Sequence, residues 1–164
     1  MSNRFMLTAA GSASVAVGGM ASAELVDFGV VFDSYISEAS FQLINSASSI
    51  VASMYVSGGV VLNGIDTASS NFAFSGSFTA GYNLDFQLDL PAGDYTVVMG
   101  DTWGDGWVWN SIDGGFGVGG PGTDDAFFAF TSGSVASGSF TVVPAPGALA
   151  LLGLAGVAGR RRRG

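Results

Sequence analysis

The sequence predicts an all-β fold, a single antiparallel β-sandwich or jelly-roll-like domain, on three observations. Apolar and polar residues alternate with a period of two in several segments, helical periodicity is scarce, and Gly and Ser clusters separate the alternating segments at short intervals. The 164 residues include 13 Phe and no Cys, so two facing sheets have ample apolar filling without disulfides. A solenoid is the alternative, but the chain shows no fixed repeat of about 20–50 residues.

The clearest predicted strand runs from Tyr82 to Leu90, where large apolar residues alternate with Asn, Asp and Gln. The next four residues, Pro91 to Asp94, are typical of a turn. After this turn Tyr95, Val97 and Met99 resume an inward face. We therefore predict that residues 82–99 form a β-hairpin.

The rest of the body divides into similar short segments. Phe72, Phe74 and Phe78 indicate one face of an earlier strand. The segment Ser37–Ala52 fits either a strand pair or a short helix. Further predicted strands are Leu25–Phe32, Ile50–Val56, Gly59–Leu62, Asp125–Thr131 and Ser137–Val143. The total is eight or nine short antiparallel strands.

Charge is distributed unevenly along the chain. The five cations are Arg4 and Arg160 to Arg163, whereas the thirteen acidic residues lie between Glu24 and Asp125. The whole chain has a formal charge of −8, but residues 24–143 hold thirteen acids and no base, a formal charge of −13. The absence of Lys from the chain argues against a nucleic-acid partner. The absence of Cys and His excludes thiol nucleophiles, Cys-type zinc sites and Ser-His-Asp catalysis.

The N-terminus has the order of a secretory signal peptide. Arg4 is followed by an uncharged stretch that ends at Ala21-Ser22-Ala23, which fits the small-x-small cleavage rule. We therefore predict a signal peptide over residues 1–23, cleavage after Ala23, and the Sec translocon and signal peptidase as partners. The acidic β-domain then occupies residues 24–143.

The C-terminus, residues 144–164, has the order of a sorting tail. Pro144, Ala145 and Pro146 precede an apolar segment, Gly147 to Gly159, and the basic residues Arg160, Arg161, Arg162 and Arg163 follow. The segment is shorter than the roughly 17–25 residues that span a bilayer comfortably, and the arginines are typical of a stop-transfer signal. This arrangement resembles the bacterial PEP-CTERM sorting family, with Ala145 where the family motif has Glu. The resemblance implies an exosortase-type processing enzyme as partner and temporary membrane anchoring before surface delivery. A plain C-terminal membrane anchor is the alternative.

One segment of the body, Asp101 to Asn110, contains several residue types that could bind a ligand. Asp101, Asp105 and Gly106 match part of a calcium-loop pattern, but Trp103 stands where a side-chain oxygen is needed, so this is no EF-hand. Calcium, the only candidate cofactor, could still be held by Asp101 and Asp105, with Asp113 nearby. The simpler interpretation is a structural turn, in which Asp caps backbone amides and Gly104 and Gly106 adopt positive φ. A third is a sugar-stacking platform formed by Trp103, Trp107 and Trp109.

Three functions compete on these observations. The first is a non-enzymatic protein of the cell surface or extracellular matrix, exported and delivered by the C-terminal tail. The alternative is a carbohydrate-binding module for an extracellular polysaccharide, with or without calcium. The third, a hydrolase using Asp101 and Asp105, is disfavoured because both lie on a Gly-flanked turn, where burial cannot easily tune their pKa values.

Overall fold

The computed structural model describes residues 23–144, which form an all-β sandwich, as the sequence predicts. A short 3-10 helix, Ile36–Glu38, connects the first two strands. In chain order the strands are β1 (Ala23–Phe32), β2 (Ala39–Asn45), β3 (Ile50–Val56), β4 (Val60–Asn63), β5 (Ala73–Ser77), β6 (Gly81–Pro91), β7 (Gly93–Asp101), β8 (Val108–Trp109), β9 (Ile112–Asp113), β10 (Gly115–Gly119), β11 (Ala126–Ala129) and β12 (Val135–Val142).

The strands are arranged in two antiparallel five-stranded sheets and a small ribbon. The first sheet has the order β11-β10-β1-β6-β5, and the second has the order β12-β7-β2-β3-β4. Strands β8 and β9 pair only with each other. The sheets face each other across aromatic contacts, with the Phe28 and Phe140 rings 5.9 Å apart and the Phe41 and Phe116 rings 5.1 Å apart. The core is therefore the layer between the sheets.

Alternation along the strands explains this layer. In β1 every second residue, from Glu24 to Phe32, is buried, while the residues between them are more exposed. Burying a large apolar side chain contributes roughly 1.5–3 kcal/mol, so a strand with four apolar residues on one face is held firmly against the opposite sheet. The segment Ser37–Ala52, which fitted two interpretations, contains the end of the 3-10 helix, β2 and the start of β3.

The predicted hairpin at residues 82–99 is wrong, although both of its strands exist. Strand β6 pairs with β1 and β5 in the first sheet, whereas β7 pairs with β2 and β12 in the second. The chain therefore crosses between the sheets at Pro91–Gly93. Tyr95 closes the crossing by donating its hydroxyl hydrogen to the carbonyl oxygen of Pro91 (2.8 Å), as tyrosine corners do in other β-sandwiches.

The predicted phenylalanine face around Phe74 is only partly correct. Strand β5 is present, but it is an edge strand that pairs only with β6, and all five of its residues are exposed. Phe72 packs against the core from just before the strand. Phe74 stacks instead on Tyr82 of the same sheet, with ring centroids 6.2 Å apart, and Phe78 lies beyond the end of the strand.

Several predictions concern the termini. The signal-peptide segment up to Ser22, including Ala21, and the tail from Ala145 through Pro146 to Arg163 lie outside the described residues. Ala23, at the predicted cleavage site, is the first residue of β1, and Pro144 is the last described residue. Among residues 23–144, no helix has the length and apolar character needed to cross a membrane.

Candidate functional site

An acidic cluster lies where β1, β2 and β7 meet at one end of the sandwich. Carboxylate oxygens of Glu38, Asp101 and Asp105 all lie within 4.8 Å of one another. Asp33, which directly follows β1, interacts electrostatically with the same group. We call Asp33, Glu38, Asp101 and Asp105 the acidic cluster.

Strand pairing explains why residues so distant in sequence meet here. Ala39, the first residue of β2, is the pairing partner of Asp101, the last residue of β7. Glu38 directly precedes β2, and its carbonyl oxygen accepts a hydrogen bond from the Thr102 N–H (3.1 Å). The register of β2 on β7 therefore places Glu38 beside the turn that begins at Asp101.

Asp101 caps this turn. Its Oδ1 accepts hydrogen bonds from the backbone N–H groups of Trp103 (2.9 Å) and Gly104 (2.5 Å). Gly104 and Gly106 have φ values of 85° and 83°. These contacts confirm the structural-turn interpretation of the segment.

The turn is also fixed against the connection between β11 and β12. The Gly133 N–H donates to the Gly104 carbonyl (3.1 Å), and the Trp107 N–H donates to the Phe130 carbonyl (2.8 Å). A Cβ at Gly106 would lie 2.6 Å from the backbone nitrogen of Ser132, so only glycine fits there. Backbone contacts with the connection between β11 and β12 therefore hold the turn that carries Asp105.

Ionisation of all four carboxyl groups of the acidic cluster is electrostatically unfavourable. Burial raises the pKa of Glu38, and the carboxylates of Asp101, Asp105 and Asp33 raise it further. Burial also raises the pKa of Asp33, although the Tyr35 N–H donates to its Oδ1 (2.7 Å) and partly offsets the effect. Residues 23–144 contain no Lys or Arg that could neutralise the cluster. A cation is the species that would do so.

The oxygen-only composition of the cluster suits a hard divalent cation. Calcium accepts six to eight oxygen ligands, including carboxylates and backbone carbonyls, in flexible geometry. Glu38, Asp101 and Asp105 could each supply one oxygen atom to such an ion. The predicted participation of Asp101 and Asp105 in calcium binding stays a prediction.

Asp113, the third predicted ligand, is not a member of this group. It lies exposed on β9, opposite Val108 of β8, and Glu38 takes its place beside Asp101 and Asp105. The prediction chose Asp113 because it follows the motif closely in sequence. The short β8–β9 ribbon holds it apart from the turn, whereas the sheet pairing brings in Glu38.

Exposed aromatic rings adjoin the acidic cluster. The Tyr35 ring makes edge contacts with the rings of Phe78 (5.2 Å) and Trp109 (5.3 Å). Trp109 is 46% exposed, and Tyr35 lies between Asp33 and the 3-10 helix that carries Glu38. We call Tyr35, Phe78 and Trp109 the aromatic patch. Trp103, on the capped turn itself, is 81% exposed.

Trp107 is not part of any exposed platform, so its predicted role in sugar stacking is wrong. It is 1% exposed and packs between Phe32 (4.8 Å) and Phe130 (5.4 Å). Its indole N–H donates to the Gly100 carbonyl oxygen (3.2 Å). Trp107 is a core residue, whereas Trp103 and Trp109 keep the exposure that ring stacking requires.

Sequence reasoning missed Asp33, Glu38, Tyr35 and Phe78 as neighbours of the motif. A correct pairing of β2 with β7 would have placed Glu38 beside Asp101. Comparison of the chain with protein-family models, curated proteins and solved structures finds no match.

Proposed function

We propose that this chain is a non-enzymatic, exported protein of the cell surface or extracellular matrix, delivered by an N-terminal signal peptide and a PEP-CTERM-like tail. The observation that carries the proposal is the separation of the chain into an acidic body and two arginine-bearing ends. Residues 24–143 hold all thirteen acids, and all five arginines lie outside them. Such a split is typical of targeting segments attached to a folded body.

The extent of the folded body supports the same proposal. Strand β1 begins at Ala23 and β12 ends at Val142. Cleavage after Ala23 would remove only the first residue of β1, and processing near Pro144 would leave β12 intact. Both proposed processing sites therefore lie at the margins of the sandwich.

Intact mass spectrometry of the protein recovered from its native envelope tests the proposal. We expect a mature N-terminus at Glu24 and a C-terminus that is shortened or modified near Pro144. A matched variant with Arg160 to Arg163 replaced by Gln should keep the Glu24 terminus and lose the C-terminal processing. Recovery of the unprocessed chain from the cytoplasm would contradict the proposal.

The second candidate function, carbohydrate binding, is favoured by the exposed rings at the cluster end. Trp103 and Trp109 present indole faces to solvent beside carboxylates that accept hydrogen bonds from sugar hydroxyls. We infer that Trp103→Ala and Trp109→Ala would weaken retention on a polysaccharide gel, with and without calcium. Tyr55→Ala, which removes a similarly exposed ring from β3, is the matched control. Equal retention of all three variants would exclude this function for Trp103 and Trp109.

A further inference from the structure

A groove crosses the outer face of the first sheet, away from the acidic cluster. It is a shallow groove, widely open to solvent, with a volume of about 630 Å³, and its floor is formed by Gly29 of β1 with Gly117 and Gly119 of β10. One wall carries Asp85 and Gln87 of β6, and the other carries Phe127 of β11. We call this feature the sheet groove.

The strand register explains the shape of the groove. Gly29 pairs with Asp85 on one side and Gly117 on the other, and Gly117 pairs with Phe127. These residues form one row across four strands, and neighbouring strands lie about 4.8 Å apart. A parallel row contains Gln87, Asp27 and Gly119. The missing glycine side chains leave a trough between two walls.

Gly29 is the informative residue, because the fold itself does not require glycine there. A Cβ at Gly29 would meet a single atom group within 4 Å, the Asp85 carboxylate, at an ordinary contact distance of 3.4 Å. By contrast, a Cβ at Gly117 would lie 2.8 Å from the Gly29 carbonyl oxygen. Glycine weakens the interior of a strand and often marks a place where a ligand approaches the backbone closely. An open groove floor is one physical reason for a glycine at position 29.

The walls carry negative charge and hydrogen-bonding groups. Asp27, Asp85 and Asp125 line the groove, and residues 23–144 contain no Lys or Arg to compensate them. Along one wall the Asn71 amide donates to Gln87 (2.5 Å), and the Gln87 amide donates to Asp27 (2.5 Å). Carboxylates attract cations, and carboxylate and amide groups form hydrogen bonds with hydroxyl groups.

Phe127 adds an apolar face to the opposite wall. Its ring is 52% exposed, and two of its carbons would lie within 3 Å of a Cβ at Gly115. An exposed ring beside carboxylates suits the C–H face of a sugar ring and also an ammonium group. We propose that the sheet groove binds a segment of polysaccharide that carries ammonium groups, that is, an amino-sugar chain.

The position of the groove favours a polysaccharide over a basic peptide. Peptides that bind sheets commonly add a strand to an unpaired edge. The floor of the groove lies on β1 and β10, which both pair with a strand on each side. A ligand in the groove therefore meets side chains and the sheet face, and finds no unpaired strand edge there.

Calorimetric titration of the purified full-length chain tests the proposal. The probes are a glucosamine hexamer and the N-acetylglucosamine hexamer, which has the same backbone without the charges. We expect the glucosamine hexamer to bind, and its affinity to fall as NaCl rises from about 10 mM to about 500 mM. Binding of the two hexamers with equal affinity, or of neither, would overturn the proposal.

Three variants and one control locate the binding. Gly29→Val fills the floor and should abolish binding, and Asp85→Asn should weaken it about tenfold by removing one charged hydrogen-bond acceptor. Phe127→Ala should also weaken binding. Asp89→Asn makes the same charge change on the same strand outside the groove lining and should leave the affinity unchanged. Since Asp85→Asn keeps the volume of the side chain, it decides the matter if Gly29→Val fails to fold.

Other outcomes are equally decisive. If Asp89→Asn weakens binding as much as Asp85→Asn, the charge of the whole sheet face is responsible and the groove is not the site. If oligolysine binds as tightly as the glucosamine hexamer, the ligand is a basic peptide and the proposal is wrong. These measurements use purified protein and do not depend on export or on the aromatic patch, so their failure would leave the proposed function standing.

Discussion

The three tryptophans of the segment from Asp101 to Asn110 have different surroundings despite their closeness in sequence. Trp107 fills the core between Phe32 and Phe130, and Trp103 lies almost fully in solvent. We expect Trp107→Ala to lower the free energy of unfolding by about 3–5 kcal/mol because it leaves a cavity. Trp103→Ala should change it by less than about 0.5 kcal/mol. Urea denaturation measures both, and similar losses would contradict these placements.

The pH dependence of stability follows from Asp33 and Glu38. Their pKa values are raised in the folded protein, chiefly by burial and then by neighbouring carboxylates. The folded state therefore holds these protons more tightly than the unfolded state. Their contribution falls as pH rises from their ordinary values, 3.8 and 4.5, through the raised folded values.

Neutral variants test this effect. Glu38→Gln and Asp33→Asn should make the protein more stable at neutral pH than the parent chain. They should also reduce the decrease in stability that the parent chain shows as the pH rises from acid to neutral. Asp113→Asn, an exposed carboxylate outside the cluster, is the control. Thermal melts over a pH series make the comparison. If the melting temperature of Glu38→Gln depends on pH as that of the parent chain does, Glu38 does not contribute to the pH dependence of stability.

Calcium should stabilise the folded protein at neutral pH by neutralising the charges of the same residues. A bound divalent cation stabilises only the folded state, so the melting temperature at neutral pH should rise with calcium and return on addition of EDTA. The shift should shrink in Glu38→Gln and persist in Asp113→Asn. An identical shift in both variants would show that calcium acts elsewhere on this acidic surface.

At the scale of elements, the crossing from β6 to β7 depends on Tyr95. Its ring is buried against Phe140, and its hydroxyl donates to the Pro91 carbonyl (2.8 Å). We expect Tyr95→Phe to lower the free energy of unfolding by about 0.5–1.5 kcal/mol, since it removes one hydrogen bond and keeps the ring. Tyr55→Phe, on an exposed ring of β3, is the matched control. Equal effects in urea denaturation would contradict a role for this hydrogen bond.

The same crossing shows how far the sequence predicts this fold. Alternation located β6 and β7 because Leu84, Phe86, Val97 and Met99 are all buried. The alternation does not identify the partner of each strand. Two strands paired in a hairpin and two strands that face each other across a core both bury every second residue. An alternating pattern therefore identifies the buried face of a strand but does not show to which sheet the strand belongs.

Pairing errors also explain what was missed at the site. Asp101 and Asp105 are found by their local motif, but Glu38 reaches them only through the pairing of Ala39 with Asp101. Strand β10 was missed because its sequence, Gly115 to Gly119, alternates Gly with Phe and Val. Glycine is depleted in strands, so the alternation in this segment is a weak strand signal. Two of these glycines, Gly117 and Gly119, form part of the floor of the sheet groove.

At the scale of the whole molecule, charge sets the behaviour of the folded body. Residues 23–144 contain thirteen acids and no Lys or Arg, so the acids of this part of the chain repel one another with no basic side chain among the same residues. The acids are spread over the acidic cluster, the sheet groove and several loops. Mutual repulsion therefore opposes the compact state and is weakened by dissolved salt.

We expect the melting temperature at about 500 mM NaCl to exceed that at about 10 mM, because the screening length falls from about 30 Å to below 8 Å over this range.

Salts can also stabilise proteins without screening, so a charge-reduced chain is needed as control. The triple variant Asp27→Asn, Asp85→Asn and Asp89→Asn removes three carboxylates from one sheet face. It should be more stable than the parent at low salt and gain less from added NaCl. If both chains gain equally, the salt acts on hydration and not on repulsion between carboxylates. If neither gains, repulsion among the acids contributes little to the free energy of unfolding.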